Sequence, residues 1–213
     1  FRSVAKSGDK EARSQMEVLK KLIDGINNGQ PTRTLTGLSN EDQSFIKSMT
    51  LLSAKPVLYI CNVLDTGDTD NELVQKVKAI AAEDGSVVVA LAGKIEGEIM
   101  EMEDPEEQQM FMEEMGLTET GLDRMISAGY GLLELSTYFT AGEKETRAWT
   151  IPKNAKAPVA AGVIHTDFEK GFIRAEVYSL KDLIEHKSEA GIKDAGKLRV
   201  EGKEYVVQDG DIM

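Results

Sequence analysis

The sequence predicts an α/β protein whose last third is a small α+β module. Three observations predict it. Two apolar runs, "VLYIC" from Val57 and "SVVVAL" from Ser86, flank a segment with helical spacing, which is the strand, helix, strand order of a parallel sheet. Before Pro56 the apolar residues recur every three or four positions, the period of a helix stripe. Beyond Leu135 the pattern changes to short β-rich stretches punctuated by turns.

In chain order, Met16, Leu19, Leu22, Ile23 and Ile26 form one stripe of a first helix, which Asn27, Asn28 and Gly29 stop. "PTRTLTG" reads as a turn. Ser39 and Asp42 then signal a second helix through Phe45, Ile46 and Met49, giving a helical hairpin that can serve as a structural arm. Val57 to Cys61 is apolar on both parities, as in a parallel strand covered on both faces. Thr69 and Glu72 make a capping box for a helix whose buried side is Leu73, Val77, Ile80 and Ala81. After the strand Ser86 to Leu91 come an acidic helix around Ile99, a helix from Glu106 to Met115 stopped by Gly116, and one from Leu122 to Leu133. Met100, Met102, Met110, Met112 and Met115 read as adaptable core filler. "STYFTAG" and "TRAWTIP" form a hairpin around "GEKE", followed by a helix at Ala157 to Ile164 and a strand at Phe172 to Tyr178. Ser179 with Asp182 caps a helix through His186, and "LRVEGKEYVV" holds two more strands around a Gly turn. The join near Leu135 is the expected domain boundary.

At 213 residues and 41% apolar, the chain can bury a core. It shows no bilayer-length apolar run and no secretory leader pattern, which points to the cytoplasm. It opens at Phe1 without an initiator Met and breaks off after a strand-like stretch, so it reads as a piece of something longer. The net charge of −12 argues against nucleic acid, but the acidity is regional. Glu96 to Glu119 carries ten acids and no Lys or Arg, whereas from Thr137 onward 12 basic residues face 13 acidic ones. The C-terminal third can therefore present a basic face.

Most catalytic arrangements are excluded. His165 and His186 are too few for a metal cluster, no zinc spacing occurs, and no serine has the nucleophile-elbow context. Cys61 reads as a packed thiol. Pairs such as Glu96 with Glu98, or Glu106 with Glu107, belong to a like-charge run that reads as a solvated face. "GIKDAGKL", Gly191 to Leu198, has the glycine spacing of a phosphate loop. It ends in Leu where Ser or Thr must hold Mg²⁺, and a strand rather than a helix follows. What survives is "NVLD", Asn62 to Asp65, at the carboxyl end of the first strand, with "ALAGK", Ala90 to Lys94, at the end of the second. An Asn can brace loops and an acid three residues on can accept from a base edge, although a plain turn after a strand fits the same residues.

The segments "KPVLYICNVLD", "AAEDGSVVVALAGKIEGEI", "MGLTETGLDRMISAGYGLLELSTYFTAGEKETRAWTIP" and "AAGVIHTDFEKGFIRAEV" resemble, in the same order, the YchF family. These proteins are also called Obg-like ATPases, or in bacteria EngD or GTP-dependent nucleic acid-binding protein. The resemblance implies a P-loop GTPase-like domain of parallel-sheet α/β type, interrupted by a helical coiled-coil arm and followed by an α+β TGS domain, a ubiquitin-like β-grasp module. Residues 1–49 would be part of the arm, 50–136 the last part of the nucleotide domain and 137–213 the TGS domain. The P-loop, Mg²⁺ ligands and switch segments would lie in the missing N-terminal part.

The family's base motif is usually Asn-x-x-Glu, which goes with ATP. Carried over, Asn62 braces the loop, the Val63 to Leu64 backbone meets the adenine edge, and Ala92, Gly93 and Lys94 form the second flanking loop. Asp65 departs from the motif as an acid that suits guanine, while Val63 stands where GTPases carry a Lys; ATP is favoured and GTP is the alternative. The TGS resemblance implies contact with RNA or the ribosome, with Lys170, Arg174, Lys181 and Lys187 as phosphate contacts or, alternatively, as salt-bridged surface residues. His165 and Asp167 read as structural hydrogen-bonding residues in a turn before a strand. The expected protein is a cytoplasmic, monomeric, ribosome-associated triphosphatase with no membrane partner, of which this chain alone is inactive. The competing reading is a non-catalytic RNA- or ribosome-binding module.

Overall fold

Helix α1, Lys10–Asn27, turns Ala12, Val18, Leu22 and Gly25 inward. Helix α2, Asn40–Ser48, is started by a reciprocal box in which Asp42 N–H donates to Ser39 Oγ at 3.1 Å and Ser39 N–H to Asp42 Oδ2 at 3.0 Å. The computed structural model describes residues 10–142 and 144–213. The first nine residues assigned to the arm, and Glu143 of the "GEKE" turn, lie outside them. Val18, Leu22 and Ile46 form the helical hairpin's core, sealed by Leu19, Leu35 and Phe45 among others. Ile23 and Ile26, expected on the buried stripe, are exposed, because the nine-residue α2 covers only one side of α1.

Strand β1, Leu58–Asn62, pairs in parallel with β2, Val87–Leu91, from Leu58 opposite Val87 to Asn62 opposite Leu91. Helix α3, Glu72–Asp84, connects them. Its cap is Asn71, whose Oδ1 accepts from Val74 N–H at 3.0 Å, and not the expected Thr69. Thr69 instead donates to Thr66 O, closing a short 3-10 turn at Thr66–Asp68, which leaves Asn, a stronger cap, at the helix start. The buried stripe of α3 is Val74 and Ala81. Leu73 and Ile80 lie on the neighbouring apolar stripe, which the two strands do not cover. Arg33, in a 3-10 turn after α1, donates through Nε to Asp84 Oδ2 at 3.1 Å and so ties the hairpin to the end of α3.

Helices α4, Gly93–Met100, α5, Pro105–Glu114, and α6, Gly121–Leu132, follow β2. The five methionines of this stretch are not core filler: none is buried, and Met100, Met110 and Met115 are exposed. Strand β1 also departs from the expectation of cover on both faces, since Ile60 is 48% exposed. The reason is lateral. Among the described residues β1 pairs only with β2, so its other edge has no neighbour to complete the wall.

The chain divides into compact units between Leu132 and Leu133. The second unit is a five-stranded mixed sheet in the order β4-β3-β7-β5-β6. Its strands are β3 (Leu135–Ala141), β4 (Thr146–Pro152), β5 (Ala175–Ser179), β6 (Arg199–Glu201) and β7 (Asp211–Ile212). The predicted hairpin is β3 with β4, in a register that sets Tyr138 opposite Trp149. The second strand expected within "LRVEGKEYVV" is reduced to a single bridge, Lys156 with Val206.

Helix α7, Ala157–Ile164, packs Ala157 and Ala160 onto Tyr138, Ile151 and Val207, and the buried Tyr138 hydroxyl donates to Ala160 O at 2.9 Å. Burial pushes that phenol up to about 12. Helices α8 (Thr166–Gly171), α9 (Leu180–His186) and α10 (Glu189–Asp194) complete the unit, with Ile192 of α10 packed on Tyr178 and Ile212. Gly191 of the P-loop-like stretch lies inside α10, where its N–H donates to Ser188 Oγ at 3.1 Å.

Candidate functional site: the loops leaving two parallel strands

The carboxyl ends of neighbouring parallel strands are where open α/β sheets place ligands, because the loops leaving them diverge and expose backbone. Here the two loops are laced together. Val63 N–H donates to Leu91 O at 2.9 Å, and Asn62 Oδ1 accepts from Gly93 N–H at 3.1 Å. A side chain at Gly93 would crowd that approach, since a Cβ there would lie 3.1 Å from Asn62 Oδ1 and 3.2 Å from Leu91 Cδ1.

Beyond Asn62, Val63 is half-buried and Leu64 is 90% exposed. Asp65 turns back on its own loop, where Oδ1 accepts from Gly67 N–H at 2.9 Å and caps the turn at Thr66–Asp68. Across the gap, Ala92 is fully buried, Gly93 is exposed, and Lys94 points outward with its Nζ 3.9 Å from Glu98 Oε1. A cleft of about 470 Å³ opens beside the loops, lined by Ile60, Asn62, Leu91, Gly93, Met100 and Leu122. Of the seven expected residues, Asn62 and Gly93 line this cleft, while Asp65 is turned onto its own loop and Ala92 is fully buried. An apolar floor edged by the Asn62 amide and the side-chain-free backbone of Gly93 suits a flat heteroaromatic ring with polar edges.

Glu96 is not part of a solvated face. It is 6% exposed, with Oε1 accepting from Ala92 N–H at 2.9 Å and from Arg124 Nη2 at 3.1 Å, and Oε2 accepting from Gly121 N–H. Arg124 Nη1 donates in turn to Ala90 O at 2.9 Å. Sequence reasoning missed Glu96, Gly121 and Arg124 because net charge dominated the reading of the acidic run. The available signal was position: a Glu one turn into a helix that starts on Ala-Gly can reach back to amides without a helical partner.

In the second unit Lys170, Arg174, Lys181 and Lys187 are all exposed, and among the described residues none of them forms an ion pair. They sit on α8, just before β5, at the start of α9 and at its C-cap. His165 is the cap of α8, its Nδ1 accepting from Asp167 N–H at 3.2 Å; a short helix, rather than the expected turn, separates it from the strand. Among the described residues no group of His, Cys, Asp and Glu could hold a metal ion, and no helix is long and apolar enough to cross a membrane.

Residues 135–213, from the start of β3 onward, match the family model YchF-GTPase_C, described as a protein of unknown function (DUF933). The ribosome-binding ATPase YchF of Escherichia coli O157:H7 is 52% identical over 209 residues, 98% of this chain and 57% of that protein. The chain belongs to the YchF family. The match is to the C-terminal portion of such proteins. The ribosome-binding ATPase YchF of Bacillus subtilis strain 168 is 49% identical over 99% of this chain and 58% of its own length. The structure of the Schizosaccharomyces pombe YchF GTPase superposes with a TM-score of 0.79 at 35% identity, covering 95% of this chain and 54% of that one. The chain therefore spans a little over half the length of the YchF relatives it matches, and the shared part includes both units.

Proposed function

We propose that the intact protein is a cytoplasmic, ribosome-associated nucleoside triphosphatase, with ATP preferred and GTP the alternative. Its purine rests against Asn62, Val63, Leu64 and Asp65 on one side and Ala92, Gly93 and Lys94 on the other. The observation that carries this reading is the 3.1 Å bond from Gly93 N–H to Asn62 Oδ1, which holds two strand-end loops at a fixed separation beside an apolar cleft. The names of the relatives, ribosome-binding ATPases and a YchF GTPase, support both the partner and the two nucleotides under consideration.

Phosphate handling and Mg²⁺ binding belong, in this reading, to sequence outside this chain, which alone does not hydrolyse nucleotide. Two observations support that. The chain spans only 57% of the Escherichia coli relative, and among the described residues β1 has an unpaired edge beside a half-exposed Ile60, an incomplete state for a parallel sheet. Residues 1–49 are read as part of the arm, 50–136 as the end of the nucleotide domain and 137–213 as a TGS domain. For the last, support comes from a mixed sheet whose first and last strands, β3 and β7, run side by side in parallel.

Calorimetric titration of the intact protein with ATP and GTP, with and without Asp65→Glu, tests the base site. Tighter ATP binding, strengthened by the substitution, is expected; a GTP preference that Asp65→Glu reverses overturns the choice of adenine. The second reading, a non-catalytic RNA- or ribosome-binding module, is favoured by the four exposed cations, which have no ion-pair partner among the described residues. Its mark would be ribosome binding by a protein that takes up neither nucleotide.

A further inference from the structure

Buried Glu96 and half-buried Arg124 form a clamp around the end of β2. The carboxylate holds Ala92 N–H at 2.9 Å while Arg124 holds Ala90 O at 2.9 Å, so the backbone is gripped on both sides of Leu91, immediately before Gly93 reaches Asn62. The same carboxylate takes Gly121 N–H at the head of α6 and the Arg124 Nη2 bond at 3.1 Å, joining β2, α4 and α6 at one group. Two observations argue that this serves more than cohesion. A carboxylate that is itself buried and paired with a half-buried Arg is a costly way to satisfy helix amides, which a neutral Ser or Asn cap satisfies at the surface. The clamp also leaves no space for a side chain at Gly121: a Cβ there would lie 2.6 Å from Glu96 Oε2 and 2.7 Å from Leu91 Cβ.

We propose that Glu96 and Arg124 are positioning residues that set the height of the Ala92 to Lys94 loop over the purine, and hence affinity for the base as distinct from the phosphates. This rests on the reading of Asn62 to Asp65 and Ala92 to Lys94 as the base site. Glu96 borders the cleft, but both its carboxylate oxygens are taken up by Ala92 N–H, Gly121 N–H and Arg124, so what it holds is backbone. Arg124 acts by bridging the Ala90 carbonyl and the Glu96 carboxylate simultaneously through two nitrogens of one planar group, which a Lys ammonium on a flexible stem does not reproduce.

The test uses the intact protein with Glu96→Gln, Arg124→Lys and Gly121→Ala, measuring dissociation constants for ATP and for inorganic tripolyphosphate, which lacks the base. Loss of one charge-assisted bond in the clamp weakens ATP binding about tenfold, with tripolyphosphate binding unchanged. Hydrogen exchange at the Ala92 to Lys94 amides rises in the same variants. Should Glu96→Gln not fold, Arg124→Lys, which keeps the charge, gives the same comparison. Equal losses for ATP and tripolyphosphate, or unchanged ATP affinity in the folded variants, overturn the positioning role. Wild-type protein that binds ATP no better than tripolyphosphate instead overturns the base-site reading on which the role depends.

Discussion

Asn62 and Gly93 are joined by a side chain to backbone hydrogen bond of 3.1 Å across 31 residues of sequence, and that contact registers the two loops of the candidate site. Both residues are exposed, so the bond contributes little to folding. Asn62→Ala is expected to lower unfolding free energy by less than about 1 kcal/mol, yet to weaken ATP binding by the intact protein about tenfold. Urea titration and calorimetry, run on the same preparation, separate the two effects. Gly93→Ala is expected to share the binding defect, because its methyl meets Asn62 Oδ1 and Leu91 Cδ1.

Asp211, on the middle strand β7, is 2% exposed and is the hub of a hydrogen-bond network that reaches Tyr205, Gln208 and Arg199. Its Oδ2 accepts from the Tyr205 hydroxyl at 2.7 Å and from Gln208 N–H at 2.8 Å, while Oδ1 faces Arg199 Nη2 at 3.3 Å. Asp211→Ala leaves the Tyr205 hydroxyl and Gln208 N–H without this acceptor, while Arg199 keeps Glu201, and is expected to cost about 2–3 kcal/mol of unfolding free energy by chemical denaturation. Burial first, and then the Asp211 carboxylate, push the Tyr205 phenol up to about 12. Spectrophotometric titration of Asp211→Ala is expected to show Tyr205 ionising at lower pH.

Two capping boxes contribute to acid sensitivity, as do the lowered carboxyls of Asp84 beside Ser86 and Arg33 and of Glu204 beside Lys156. The Ser179 hydroxyl, bonded to Asp182 at 2.6 Å, and then the Ser179 N–H hold the Asp182 carboxyl below its ordinary 3.8. The Ser39 N–H and then its hydroxyl do the same for Asp42. A depressed folded-state value means that the unfolded chain binds the proton first as pH falls. The stability these boxes contribute is therefore complete above about pH 4 and is lost as pH falls through the folded-state values. Thermal unfolding between pH 2 and 6 is expected to show a shallower acid limb in Asp182→Asn and Asp42→Asn than in the unsubstituted protein.

The cations of the second unit bear on the ribosome reading. Replacing Lys170, Arg174, Lys181 and Lys187 together by Ala is expected to weaken cosedimentation of the intact protein with ribosomes and to flatten its dependence on salt, since each phosphate contact releases counterions. The melting temperature should hold, because all four side chains are exposed and none is in an ion pair among the described residues. Unchanged binding at low salt would move the contact surface elsewhere.

Local chemistry was legible wherever one short stretch carries its own signal. The boxes at Ser39 with Asp42 and Ser179 with Asp182, the parallel strands around Val57 to Cys61 and Val87 to Leu91, and the hairpin of "STYFTAG" with "TRAWTIP" all stand where the residue pattern put them. Errors arose where two local solutions competed. Thr69 and Asn71 both offered a cap, and α3 carries apolar residues on two adjacent stripes, of which the sheet covers only the one with Val74 and Ala81.

By itself the sequence determined the order and type of the main elements, because hydrophobic period and cap chemistry act within a few residues of the chain. It also marked Asn62 and Asp65 as the polar end of a strand. Only tertiary structure decided that Asn62 grips Gly93, that Glu96 leaves the acidic run to bind Ala92, Gly121 and Arg124, and that Ile60 stays half-exposed. Those outcomes depend on which partners converge from distant positions, and neither burial nor a buried charge's neutralisation can be read from a residue's own neighbours in the chain.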